Sequence, residues 1–202
     1  MTNETPVSVL PGETAPVRLM NTIWADTAGV HDDLTTPTAL HDWLITVDHR
    51  YAADAVGEPR PDELAEAKLL RDSLRRLAAF LTDDARPAAQ SPVESVDGGV
   101  AAVNRAAAHL PQTELVLQGG LLRRDRPASA SPTRVALAEL AHDSIDMLTG
   151  PSGIKLVACH APRCLLYFVR SQPRREWCSE TCGNRARAAR HYQRIRAARN
   201  QG

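Results

Sequence analysis

All four cysteines of this chain, Cys159, Cys164, Cys178 and Cys182, fall in one 24-residue window. The spacing is C-x4-C, then thirteen residues, then C-x3-C. Thiolates are soft donors, and four of them suit tetrahedral zinc at about 2.3 Å per bond. The first pair spans the turn "HAPR" between two strand-like segments, "KLVAC" and "LLYFV". The second pair, four residues apart, lies on one face of a first helical turn, where the positive end of the helix dipole favours thiolates. The expectation is a β-hairpin and a helix joined through one structural Zn2+. An iron–sulfur cluster uses the same ligands, but the strand–turn–strand–helix order favours zinc. His160 adjoins Cys159, yet four cysteines already close the shell. A closed shell leaves no position for water, so the metal is expected to be structural rather than catalytic.

The charge distribution singles out the same region. Net charge is zero overall. From residue 151 onward, however, there are 11 Lys+Arg against 2 Asp+Glu, a net of +9, while residues 1–150 carry −9. Such asymmetry predicts a basic module on an acidic body, with an anionic partner such as nucleic acid. On a helical wheel of the last segment, Arg187, Arg190 and Arg194 share one face. Arg185, Arg196 and Arg199 share roughly the opposite one, near Tyr192. Ala188, Tyr192 and Ile195 form an apolar stripe expected to pack on the zinc module. Arginine makes bidentate contacts to guanine or phosphate, so Arg187, Arg190 and Arg194 are the candidate DNA contacts.

The body is expected to be mostly helical. Residues 1–15 are expected to be disordered. A short helix from about Pro16 would carry Leu19, Met20 and Ile23. Another would start near Pro37 with Thr36 as its cap and bury Leu40, Trp43, Leu44 and Val47. The stretch 60–84 has the strongest helical period, through Leu64, Ala67, Leu70, Leu74, Leu77 and Leu81. Its Glu63, Glu66, Lys68, Arg71, Asp72 and Arg76 are expected on solvated faces. A helix over about 93–109 and a β-hairpin around Gly119-Gly120 follow. The last body helix, capped by Ser131 and ended by Gly150, would bury Val135, Ala138, Ala141, Ile145 and Leu148.

The string Cys182-Gly183-Asn184-Arg185, within "WCSETCGNRARAARHY" and after "ACHAPRCLLYFV", resembles the CGNR zinc finger of bacterial proteins. The body resembles the ABATE domain that precedes this finger, through "RLMNTIWAD", "LRDSLRRLAAFL" and "LAHDSIDMLTG". The resemblance implies a stress-induced transcription regulator. Arg18 departs from the family, which often has an acid shortly before the Asn-Thr pair. The expected fold class is α+β, mostly α: a helical N-terminal domain with a small β-hairpin over 16–150, and a treble-clef-like zinc finger over 154–199.

No nucleophile elbow, phosphate-binding glycine loop or HExxH occurs, and the scattered histidines read as surface residues. The chain is therefore expected to be no enzyme. Asn21, Thr22 and Trp24 are polar or aromatic groups in apolar surroundings. They either hold the fold together or line a ligand pocket. A small ligand and a homodimer are kept open for the body. No export signal or membrane span is visible, so a cytoplasmic protein is expected. Two functions are carried forward. One is a transcription regulator whose zinc module binds DNA through a basic helix; the other is a protein-interaction adaptor whose zinc finger only orders the C-terminus.

Overall fold

Proline at or beside the first position, where its missing N–H costs nothing, opens four of the described helices. These are α1 (Ala15–Met20), α2 (Pro37–Val47), α3 (Pro61–Leu81) and α5 (Pro132–Thr149). The others are α4 (Val96–Ala107) and α6 (Glu180–Arg199). The computed structural model describes residues 10–47, 57–127, 130–150 and 155–199. The segment "DHRYAADA" (48–55), which the sequence also reads as helical, lies outside these. Side-chain oxygens cap the helices where expected: Thr36 accepts from Ala39 N at 3.1 Å and Ser131 from Arg134 N at 3.3 Å. Arg18, the residue that departs from the family, donates to the carbonyls of Val47 and Thr46 and closes the C-terminal end of α2.

Helix α3 is central, with α1, α2, α4 and α5 around it. Ala67, Leu70, Leu74 and Leu77 are buried as the period predicts, whereas Leu81 is exposed. Glu63, Arg71 and Asp72, expected in solvent, are buried as well. A helix surrounded on several sides has no room for one clean polar face, so each buried charge must be partnered. Glu63 accepts from Arg60 N at 2.7 Å and from the Ser131 hydroxyl. Arg71 donates to Asp72 and Asp32. In α5 the expected Ala138 and Ala141 are buried, but so are Leu137, Leu140, Ser144 and Met147, while Val135, Ile145 and Leu148 are only half-buried. That helix contacts both α1 and α4, which turns its buried face away from the expected stripe.

Among the described residues three antiparallel hairpins complete the α+β, mostly α architecture. Strands β3 (Glu114–Gln118) and β4 (Leu121–Asp125) turn at Gly119 and Gly120, whose φ values of 59° and 76° explain the glycine pair. Strands β1 (Ile23–Ala25) and β2 (Val30–Asp32) were not anticipated, and they take Ile23 out of the first helix. The local cause is a turn in which the Asp26 carboxylate accepts from Ala28 N and Gly29 N.

The third hairpin, β5 (Leu156–Ala158) and β6 (Tyr167–Val169), joins the two parts of the chain. Alternation along β6 sends Tyr167 into the main core with α1, α3 and α5, and Phe168 into a second cluster built on the four cysteines. Ala158 also belongs to the main core. The segment "LLYFV" thus supplies side chains to both clusters. Residues 10–14, expected as part of a disordered start, are tied to the same hairpin. Glu13 accepts from Val169 N at 2.9 Å and pairs with Arg175 at 2.8 Å.

Candidate metal centre

Cys159 follows β5, and its N–H donates to Leu166 O at 2.9 Å, which closes the hairpin. Cys164 sits at the end of the turn, its N–H on Ala161 O at 3.0 Å. Between them Arg163 takes a left-handed φ of 62°, the conformation that folds the loop back and brings the thiols together. Cys178 precedes α6 and Cys182 lies in its first turn, where Ser179 Oγ accepts from Cys182 N at 3.2 Å.

The four Sγ atoms lie within 4.8 Å of one another, and all four residues are buried. Cys164 and Cys178 are 3.8 Å apart at sulfur, Cys178 and Cys182 3.4 Å. A tetrahedron with bonds of about 2.3 Å has edges of about 3.8 Å, so the donor set fits zinc in size and chemistry. Among the described residues no other group of His, Cys, Asp or Glu could hold a metal, and His160 is exposed, outside the cluster.

The electrostatics call for a cation. Without one, hydrogen bonds from Cys164 and Cys178 hold the Cys159 thiol far below its usual range. Those same bonds, with burial behind them, push Cys164 and Cys178 up. Clustered thiols thus share one charge by keeping protons. Zn2+ replaces those protons and lets all four sulfurs ionise. Arg185 donates to Cys182 Sγ at 3.2 Å, which offsets part of the −2 charge of a four-thiolate site.

The body supplies much of the shell around these ligands. Arg86 donates to the carbonyls of both Cys159 and Cys164 and is held by Asp84, to which Tyr167 also donates at 3.1 Å. Arg75 donates to Leu165 O at 3.3 Å and Met20 O at 3.0 Å. Arg175 reaches Cys178 O at 2.9 Å while lying over the Phe168 ring. None of these three arginines is singled out by the sequence reading. For Arg75 and Arg86 the signal is purely spatial, since they lie on or just after α3, far from the cysteines in sequence. Gly183 is explained locally: a Cβ there would come within 3.2 Å of the Trp177 ring, which packs on the cysteine cluster.

A single model describing a "Putative stress-induced transcription regulator", ABATE, matches residues 13–151. That match covers most of the chain. The chain belongs to the ABATE family. A CGNR zinc finger model matches residues 155–195, which contain all four cysteines. This ABATE protein therefore carries a structural zinc finger with one Zn2+ at the cysteine cluster, and both matched models are of regulator or zinc-finger type rather than enzymes. No curated protein matches it.

The other sequence candidates divide. Asn21 is 3% exposed, and both ends of its amide bind the backbone of Tyr167: Nδ2 donates to Tyr167 O at 2.8 Å, and Oδ1 accepts from Tyr167 N at 3.0 Å. Thr22 donates to Leu19 O. Trp24 packs beside the cysteine cluster, donates to Asp33 at 2.8 Å and stacks on His31. Asn21 thus ties body to finger, Trp24 packs against the cysteine cluster, and Thr22 is bonded at the end of its own helix. Arg187, Arg190 and Arg194 do line one side of α6. The apolar stripe expected to hold that side outward does not pack: Ala188 is exposed, and Tyr192 and Ile195 are 70% and 39% exposed. Only Cys182, Gly183 and Ala186 of α6 are buried. Among the described residues no helix is long and apolar enough to cross a membrane.

Proposed function

We propose that this protein is a DNA-binding regulator whose α6 enters a groove of the duplex. The observation that carries this reading is the state of α6. Its first turn is fixed on the cysteine cluster, while every residue from Arg190 to Arg199 is exposed. That free half carries Arg190, Arg194, Arg196 and Arg199. Among the described residues no ion pair ties these arginines to the acidic body. A rigidly anchored helix, basic on two faces, can meet phosphates on both walls of a major groove. The body's part in this reading is to hold the finger and to bring copies together.

Arg187, Arg190 and Arg194 are the proposed contacts. Arg187 also bonds Asn184 at 2.6 Å, which orients its guanidinium. The test is binding to random duplex DNA at about 50 and about 200 mM salt, wild type against the triple alanine variant. Each phosphate contact removed should flatten the slope of log K against log salt by about 0.9. An arginine reading guanine should instead cost roughly 1–3 kcal/mol at one base position. Equal, salt-independent binding by both proteins, or none by either at low salt, favours the protein-interaction adaptor.

A further inference from the structure

The hairpin β3–β4 stands out as an arm. Its strands pack chiefly on each other. Leu115, Leu117, Leu121 and Leu122 are 61–72% exposed. Cross-strand register places Leu117 opposite Leu122, and alternation puts Leu115 on the same face. The eight residues 115–122, "LVLQGGLL", carry no charge. A two-stranded hairpin by itself is marginal in water, and exposed leucines on both strands add the cost of hydrating them. Such an arm needs a cover.

The same chain has an apolar hollow of matching chemistry. Phe80, Leu81, Val100, Ile145 and Leu148 line a cleft of about 300 Å³ where α3, α4 and α5 meet, with Asn104 among its few polar members and no charged side chain. Phe80, Leu81 and Val100 are themselves 45–63% exposed. The arm does not fill the cleft of its own chain, whose apolar lining remains open to solvent.

We infer that the occupant of this cleft is the β3–β4 arm of a second copy, exchanged reciprocally in a two-fold dimer. The uncharged apolar tip of the arm, residues 115–122, and an uncharged apolar hollow on one chain form a self-complementary pair, as an isologous interface requires, with Arg124 opposite Leu115 left at the rim. Reciprocal exchange covers both features twice with a single contact type. The inference is independent of DNA binding by α6.

Sedimentation of the full chain tests it. The wild type should be a dimer at micromolar concentration. The arm variant Leu117→Lys/Leu122→Lys and the cleft variant Phe80→Lys/Val100→Lys should each be monomeric, with the dissociation constant raised by about 100-fold or more. All four side chains are exposed, so helicity and zinc content should be unchanged; serine at the same positions replaces lysine if either falls. Mixing the two variants restores one intact arm–cleft contact per heterodimer. Association should then return where neither variant self-associates. A monomeric wild type at about 100 μM, a cleft variant that still dimerises, or a mixture that stays monomeric overturns the exchange. The second of these points to arms stacking on each other.

Discussion

Asn21 illustrates how one side chain replaces a strand. In the antiparallel β5–β6 pair, Cys159 bonds Leu166 and Arg170 bonds Lys155. Alternation then leaves Tyr167 and Val169 turned away from β5, on an open edge. Asn21 satisfies both backbone groups of Tyr167, Glu13 takes the N–H of Val169, and Arg175 takes its carbonyl at 3.0 Å. An edge closed this way cannot template further pairing. Asn21→Leu keeps the volume and removes both bonds, leaving two buried backbone groups unpaired at roughly 1–3 kcal/mol each. We expect a loss of roughly 2–4 kcal/mol in denaturant unfolding. A change within about 0.5 kcal/mol would show that Tyr167 has other partners and return Asn21 to the ligand reading.

At the level of elements, α6 changes character along its length. Through Ala186 it is part of the metal centre, and from Arg190 it buries nothing. The basic faces were visible in the sequence because charge is a property of residues. Whether Ala188, Tyr192 and Ile195 would pack was not, because a three-residue apolar stripe packs only where a neighbouring element offers a surface. A chain ending at Ala189 should therefore keep its zinc and melt within about 2 °C of the full protein, as surface changes do. Its affinity for duplex DNA should collapse. A large drop in melting temperature with that truncation would mean that the free half of α6 is covered by something in the folded protein.

Across the whole molecule, several contacts bridge the finger and the body. Tyr167 and Ala158 lie in the main core, Arg75 and Arg86 reach the zinc loop from the body, and Trp24 leans on the cysteine cluster. Zinc is worth roughly 10–16 kcal/mol apparent in small fingers, comparable to the stability of a whole domain. Chelation should thus reach the body's helices: far-UV melting should stay cooperative but shift down by about 10 °C or more. A body that melts at the same temperature with and without metal would show two independent cores despite these contacts. On the shared-core argument, a fragment ending at Gly150 should lose its cooperative transition, since it lacks Tyr167 and leaves Asn21 buried without its partner.

The zinc site was determined by sequence alone. Its information is local: ligand type, ligand spacing and the turn and helix start that aim the thiols all lie within 24 residues. The same holds for the long α3 period, the Thr36 and Ser131 caps and the Gly119-Gly120 turn, each set by neighbours a few positions away. Tertiary structure alone decided the rest. It buried Glu63, Arg71 and Asp72 by surrounding α3, rotated the buried face of α5 between two helices, and recruited Arg75 and Arg86 to the zinc loop across 73 to 90 residues of chain. It also joined finger to body through Tyr167. Periodicity reports that a face is apolar, but which partner meets that face, and which charges are trapped behind it, follows only from the packing of the whole chain.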